Sequence, residues 1–151
     1  DSPALPKPAQ SPRPPVIVGG WGKTRTPALA ARYADEFNVP FPPLADFGPQ
    51  IAAVSAACEA ADRDPATMTW SAALVVCCGE DEPSFRRRAS AIGRAPDEVR
   101  ANGAAGTVAE VTDTIASYVE AGAERIYLQV LDLADLDHLR LIAAEVAPAL
   151  P

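Results

Sequence analysis

The sequence has few of the residues that build metal and disulfide sites. It contains one histidine, His138, and three cysteines among 151 residues. An odd number of cysteines does not make a disulfide framework, and the adjacent Cys77 and Cys78 lack the Cys-x-x-Cys spacing of zinc and redox sites. We therefore expect reduced thiols, a reducing compartment and no metal site.

The sequence also lacks a basic cluster and a long apolar run. Its 13 basic and 20 acidic residues give a net charge of −7, so the chain would repel a nucleic-acid backbone and nucleic acid is not expected as a partner. The longest unbroken apolar run, 72–78, is far shorter than the about 20 residues that a membrane-spanning helix needs. These absences predict a cytoplasmic protein with no membrane partner.

Proline is concentrated at the amino end, where residues 1–15 hold six of the 16 prolines. Proline removes backbone donors and holds the preceding residue in extended conformations, so we expect no helix or strand there. The chain opens on Asp1 rather than on methionine. We interpret it as a piece of a longer polypeptide in which residues 1–15 are a connecting segment.

From Val16 onward, short apolar runs alternate with segments of helical periodicity. The apolar runs predict four strands, at 16–18, 36–39, 69–77 and 125–130. The periodic segments predict helices at 28–34, from about 46, at 83–92, 96–100 and 107–121, and from about 133 to 146. Four successive strand-helix units specify an α/β fold with parallel strands. They make either a small doubly wound sheet or half of an eight-unit barrel, which takes about 250 residues.

A glycine-rich loop, residues 19–26, joins the first predicted strand to the first predicted helix. Its sequence is Gly-Gly-Trp-Gly-Lys-Thr-Arg-Thr, and Thr26 followed by Pro27 predicts the helix start. Free backbone N–H groups and the helix dipole favour an anion such as phosphate at this place, and Lys23 and Arg25 add positive charge. The same glycines can instead serve only to turn the chain.

One interpretation of this loop is a nucleotide-binding P-loop. Gly22-Lys23-Thr24 matches the end of the motif G-x-x-x-x-G-K-[ST]. The first glycine of the motif falls on Ile17, inside the predicted strand, and no acidic metal-binding motif accompanies it. The P-loop therefore stays the weaker hypothesis.

A set of short motifs along the chain gives another interpretation. The motifs are Ser2-Pro3-Ala4-Leu5-Pro6-Lys7-Pro8-Ala9-Gln10, Pro15-Val16-Ile17-Val18-Gly19-Gly20-x-Gly22, Ala31-Arg32-Tyr33-Ala34-Asp35-Glu36-Phe37-Asn38, Gly106-Thr107, Arg125-Ile126-Tyr127-Leu128-Gln129 and Asp135-Leu136-Asp137-His138-Leu139. In this order they resemble the luciferase-like monooxygenase superfamily, and most of all its F420-dependent oxidoreductases. The part they resemble is the C-terminal half of the barrel, strands five to eight.

This resemblance implies a fold, a cofactor and a set of binding residues. Residues 16–151 would form half of a (β/α)8 TIM barrel that binds coenzyme F420, or alternatively FMN, and transfers a hydride or activates oxygen. The full-length parent would act on a small-molecule substrate as a homo-oligomer. The family holds the cofactor phosphate with the loop after the strand that corresponds to the first predicted strand of this chain. The resemblance therefore assigns this role to Gly19, Gly20, Trp21, Gly22, Lys23 and Arg25.

Further candidates follow from the barrel. The carboxyl ends of barrel strands line the active site, and the residues nominated there are Asn38, Cys77, Cys78 and Gln129. With no histidine near in sequence, we interpret the two cysteines as packing residues rather than nucleophiles. His138 is interpreted as a solvated helix residue. The family's proton-transferring groups lie largely in the other half of the barrel, so no catalytic residue is named.

The isolated chain is expected to be inactive, because a half barrel leaves the first and last strands as unpaired edges. An alternative of a different class stays open. The chain would then be a non-enzymatic half barrel that dimerises and binds an anionic ligand in the glycine loop.

Overall fold

A computed structural model describes residues 5–150 and shows five strands and six α-helices in them. The strands are β1 (Ile17–Gly19), β2 (Glu36–Pro40), β3 (Thr69–Gly79), β4 (Ala104–Thr107) and β5 (Arg125–Gln129). The helices are α1 (Arg25–Tyr33), α2 (Leu44–Glu59), α3 (Glu82–Ala91), α4 (Pro96–Asn102), α5 (Val108–Glu120) and α6 (Leu136–Leu141). In this described part of the chain, no helix has the length and apolarity to cross a bilayer.

The predicted connecting segment is irregular where the structure describes it. Residues 5–15 contain no helix or strand, as their proline content predicts, and residues 1–4 of that segment lie outside the described residues. Asp35 ties the end of the segment to the sheet. Its carboxylate accepts hydrogen bonds from the Val16 N–H at 2.7 Å and from Arg13 Nη2 at 3.0 Å. These bonds, that from Arg13 above all, hold the pKa of Asp35 below its usual range.

All strands of the sheet are parallel, which confirms the α/β class. β1 pairs with β2, and β2 pairs with β3. The long β3 borders two more strands, since β5 pairs with residues 71–75 and β4 with residues 76–79.

The prediction of four strands is wrong by one, because β4 was not recognised. Its residues Ala104, Ala105 and Gly106 are small, and none is β-branched. They are nevertheless buried. Pairing with the end of β3 and burial thus make this strand, whereas local sequence preference does not.

The main core lies on one face of the sheet. Side chains that alternate along β2 and β3, such as Phe37, Val39 and Leu74, are fully buried there. Helices α1, α2, α5 and α6 contribute the opposite side of this core, with Ala30, Phe47, Val54, Ile115 and Leu141. The other face carries the half-buried Asn38 and the exposed Tyr127 and Gln129, and we call it the open face.

A second, smaller core covers the carboxyl end of β3 on that other face. Phe85 and Ala89 of α3 and Val99 of α4 pack there against Cys77 and Ala105. The last four residues of β3 are therefore buried on both faces. At this end of the sheet, α3 and α4 stand opposite the helices of the main core.

Helix α1 begins earlier than predicted. Thr24 is its N-cap residue, and the Ala28 N–H donates to the Thr24 carbonyl at 3.1 Å. Thr26, the predicted N-cap, lies in the first turn, where its side chain packs close to Gly22. Pro27 is tolerated in the first turn, because N–H groups there have no partner inside the helix.

Candidate functional site

The junction between β1 and α1 presents a row of unpartnered backbone donors. The Gly20 N–H donates to the Asn38 carbonyl at 3.3 Å, and the next bonded N–H is that of Ala28. Between them, the N–H groups of residues 21–26 donate to no acceptor in the described part of the chain. Thr24 makes no side-chain capping bond. We call residues 19–26 the cradle.

Glycine is required at two positions of the cradle. Gly20 has φ +141°, a conformation that residues with a side chain rarely adopt. At Gly22, a Cβ atom would lie 2.2 Å from Thr26 Oγ1 and 2.8 Å from Thr26 Cβ. The loop therefore keeps its backbone bare and close to the helix, which is the form that lets oxygen atoms of an anion approach N–H groups.

The electrostatics of the cradle favour an anion. Lys23 and Arg25 are exposed, and neither forms a salt bridge within residues 5–150. Among the α-helices described, α1 alone has no acidic residue in its first turn. The positive end of the helix dipole is thus uncompensated by the protein itself.

Trp21 brings a large side chain to the cradle. Its indole Nε1–H donates to the Pro40 carbonyl at 2.9 Å, and 43% of the side chain is exposed. This bond fixes the ring at the carboxyl end of β2. Trp21 therefore joins the cradle, to which its backbone belongs, to the end of the neighbouring strand.

Asn38 belongs to a polar network on the open face of the sheet. Its Nδ2 donates to Ser71 Oγ at 3.0 Å, and Ser71 Oγ donates to Glu36 at 2.6 Å. Arg125 donates to the same Glu36 carboxylate, which is only 4% exposed. Asn38 is paired directly with Gly19 in the sheet, so the network begins beside the cradle.

The two adjacent cysteines lie in different cores. Cys77 packs in the second core and Cys78 in the main core, and both are buried. Burial raises the pKa of the Cys77 thiol and raises that of Cys78 to about 11. Both sulfurs are therefore protonated near neutral pH, which fits packing and not nucleophilic attack.

The interpretation of His138 as a solvated residue is wrong. The side chain is buried, and its Nε2 accepts a hydrogen bond from the Cys78 N–H at 2.9 Å. The Cys78 carbonyl accepts from Arg88 Nη1 at 3.0 Å, and Arg88 Nε donates to Asp135 at 2.8 Å. Sequence reasoning missed this contact because the partners are 60 residues apart.

These side chains complete the edge of β3. Backbone groups of alternate residues in a strand point to the same edge, and the Trp70 carbonyl accepts from Glu124, just before β5. Cys78 is an even number of residues after Trp70, so its backbone groups point to the same edge of β3. It lies beyond Val75, which is the last residue paired with β5. His138 and Arg88 therefore bind the backbone where a strand is missing. Burial, then the charge of Arg88, lowers the pKa of His138 and keeps it a neutral acceptor.

A cavity of about 290 Å³ lies between α4, the carboxyl ends of β2 and β5, and Val75 in the middle of β3. Its lining residues are Phe41, Val75, Arg94, Glu98, Val99, Asn102, Gln129 and Leu131. Of the residues nominated from the sequence, it contains only Gln129. The other lining residues carry no sequence signal, since the packing of α4 brings them together.

Comparison with known proteins gives a family and a fold. The family model of luciferase-like monooxygenases matches residues 1–125. No protein with a curated description matches the chain. Among solved structures, the coenzyme F420 dependent tetrahydromethanopterin reductase from Methanopyrus kandleri is 17% identical with a TM-score of 0.72, over 91% of this chain and 51% of that one.

Two monooxygenase structures are similar as well. One, from Streptomyces bottropensis, is 23% identical with a TM-score of 0.71, over 95% of this chain and 50% of that one. The other is the oxygenating constituent of 3,6-diketocamphane monooxygenase from Pseudomonas putida in complex with FMN. It is 21% identical with a TM-score of 0.64, over 92% of this chain and 50% of that one. The chain thus spans about half the length of these enzymes, and its extended family match shows that it belongs to the luciferase-like monooxygenases.

Proposed function

We propose that this chain is the C-terminal half of a flavin- or F420-dependent oxidoreductase barrel and that its cradle holds the cofactor phosphate. The observation that carries the proposal is the row of unpartnered N–H groups at residues 21–26, at a helix end without an acidic residue. A phosphate group, whether a monoester or a diester, matches both the donors and the charge. Coenzyme F420 and FMN each carry a phosphate, and structures similar to this chain are named for one or the other.

The residues of this chain would bind and orient, and the cofactor would supply the redox chemistry once bound. The bare backbone at Gly20 and Gly22 lets the N–H groups of the loop reach the phosphate oxygens. Lys23 and Arg25 neutralise the charge. Since the cradle follows β1, a phosphate held there fixes one end of the cofactor at the carboxyl edge of the sheet, where parallel α/β folds bind ligands.

The remaining strands of the barrel would close on the open face. Within the described residues, β1 pairs only with β2, and β5 pairs only with β3. Ile17 of β1 is 50% exposed and Tyr127 of β5 is 38% exposed. Unpaired edges and exposed large side chains on both border strands are what a half barrel would leave.

The proposal is tested by titrating the chain with FMN, with inorganic phosphate and, as a control, with riboflavin, which lacks the phosphate. Amide NMR resonances of residues 21–26 should shift with FMN and with phosphate but not with riboflavin. Equal shifts with riboflavin, or none with phosphate, contradict the cradle. Micromolar binding of FMN or coenzyme F420 together with hydride transfer by this chain alone contradicts the half-barrel part.

A dimeric binding module is the second candidate, favoured by the same two open edges. Two copies could each cover the open face of the other and bind an anion in the cradle without catalysis. Sedimentation equilibrium separates the candidates, since a stable dimer with a cooperative melt supports the module and a monomer or aggregate does not. Binding of ATP that needs both Mg²⁺ and Lys23 would instead support the P-loop hypothesis.

A further inference from the structure

We propose that the cavity beside α4 is a substrate pocket for a neutral, mainly hydrocarbon molecule that carries one oxygen, such as a cyclic ketone or alcohol. The inference deepens the proposed function and rests on it for the word substrate. The pocket itself stands on its own geometry. Its walls, charge balance and position each restrict what it can take.

The walls are apolar and the space is small. Phe41, Val75, Val99 and Leu131 come from the end of β2, from β3, from α4 and from the segment after β5. The volume of about 290 Å³ equals that of about ten liquid waters, at the lower end of the range for small-molecule sites. Such walls favour a compact hydrocarbon framework over a sugar or a nucleotide.

The charged groups at the pocket cancel each other. Arg94 Nη1 donates to Glu98 Oε1 at 2.6 Å, so the two charged groups form a salt bridge. Asn102 Nδ2 is occupied by the Glu98 carbonyl at 2.9 Å. No unpaired charge on the lining is left to bind an ionic group, which makes a neutral ligand the better match.

Gln129 is a polar side chain on the lining whose whole amide is available to a ligand. Gln129 is exposed at the end of β5, and its amide bonds to no side chain or backbone group within residues 5–150. An amide can donate to a ketone oxygen or exchange hydrogen bonds with a hydroxyl. A single oxygen on the ligand is thus what the lining can recognise.

The pocket opens at the same edge of the sheet as the cradle. Trp21 of the cradle donates to the Pro40 carbonyl, and Pro40 directly precedes Phe41 of the pocket wall. A molecule in the pocket therefore lies across the strand ends from the proposed phosphate site.

The test uses cyclohexanone as the probe and methyl NMR of the whole 151-residue chain as the readout. Methyl resonances of Val75, Val99 and Leu131 should shift and saturate with a Kd of about 1–10 mM, a plausible affinity for so small a ligand. Leu131→Trp, which fills a partly exposed wall, should weaken binding at least about tenfold. Leu133→Trp is the matched control, because Leu133 is 81% exposed and outside the lining.

The polar contact has its own variant. Gln129→Leu should weaken cyclohexanone about two- to tenfold, the range expected for one hydrogen bond, and leave cyclohexane binding unchanged. Equal losses for both ligands would overturn the role of Gln129.

The outcomes separate this inference from the proposed function. If phosphate shifts the cradle amides but cyclohexanone gives no saturable shift, or Leu133→Trp weakens it as much as Leu131→Trp, the pocket is wrong and the proposed function stands. If cyclohexanone binds as described and phosphate does not, the pocket stands as an apolar site and the cradle is wrong. Failure of both overturns both.

Discussion

At two junctions in this molecule, a strand ends in glycine before a helix begins. The two junctions differ in whether the N–H groups at the start of the helix have acceptors. After β3, Asp81 accepts from the Ser84 N–H at 2.8 Å and Ser84 Oγ accepts from the Asp81 N–H at 3.1 Å. After β1, the donors at residues 21–26 have no such partners. Both glycines are crowded. A Cβ on Gly79 would lie 2.3 Å from the Phe85 N atom, and a Cβ on Gly19 would lie 3.2 Å from the Asn38 carbonyl oxygen.

The difference between the two junctions bears on the proposed phosphate site. At the β3 junction the chain supplies its own carboxylate to the first turn of α3. At the β1 junction no carboxylate of the described residues accepts from the N–H groups of residues 21–26. Tight geometry is therefore common to both, and the β1 junction differs in that it has no carboxylate of its own, which is the feature that the proposed phosphate site uses.

The largest effect is expected from a change at the carboxyl end of β3, where Arg88 binds the strand backbone. Arg88→Ala removes the donor to the Cys78 carbonyl and leaves the partly buried Asp135 without its ion pair. We expect a loss of about 2–3 kcal/mol in the free energy of unfolding, measured with urea. The neighbouring Arg87 is exposed, and Arg87→Ala should cost less than about 0.5 kcal/mol. Similar losses in both variants would mean that Arg88 does not hold the junction.

The second largest effect is expected at the junction between β1 and α1, for the substitution Gly22→Ala. The added Cβ meets Thr26 Oγ1 at 2.2 Å, so we expect a loss of about 1–3 kcal/mol in the free energy of unfolding and weaker phosphate binding. Gly48→Ala is the matched control. It lies inside α2 with open space around the position, and it should be neutral or stabilising by up to about 1 kcal/mol. A neutral Gly22→Ala would show that the cradle tolerates side chains.

The third change gives α1 the acidic first turn that it lacks. Arg25→Glu should reduce phosphate affinity about tenfold, because it removes a positive charge and compensates the helix dipole. Arg32→Glu makes the same change of net charge in the last turn of the same helix. Phosphate titration should find the second variant within about twofold of the parent. Equal losses would assign the effect to net charge and not to the cradle.

The smallest effect is a pH dependence of the free energy of unfolding, which comes from His138 at the carboxyl end of β3. The pKa of His138 in the folded chain lies below the ordinary 6.5, so the unfolded chain binds more protons there in that window. Its contribution to stability is complete above pH 6.5 and falls as the pH drops below that value toward the lowered pKa. Arg88, Asp135 and Asp132 supply the charges around the imidazole. Urea unfolding from pH 7.5 to 5.0 should show this fall, and His138→Gln should flatten it.

Much of the fold followed from local sequence signals. Strands β3 and β5 are apolar runs between breakers, and both lie where that pattern predicts them. The prediction of the cradle rested on glycine spacing in the same way, and it stays a prediction until a ligand is measured. These features depend on residues that are close in sequence.

The features that escaped sequence reasoning depend on distant residues. β4 has little strand preference of its own and forms because β3 lies beside it. His138 looked solvated because its partner, Cys78, is on another element. The cavity exists only because α4 packs across the ends of the strands. Tertiary contacts decide all three, and no local pattern encodes them.

The polar network around Glu36 joins segments that lie far apart in the sequence. It joins Ser71 at a separation of 35 residues and Arg125 at a separation of 89. Contacts between residues so far apart form after local ones, since a long loop must close first. During synthesis, the Glu36 carboxylate therefore has no Arg125 to pair with until 89 further residues have been made. Helices α1 and α2 can form in that interval, and the last strand then fixes the sheet that they cover.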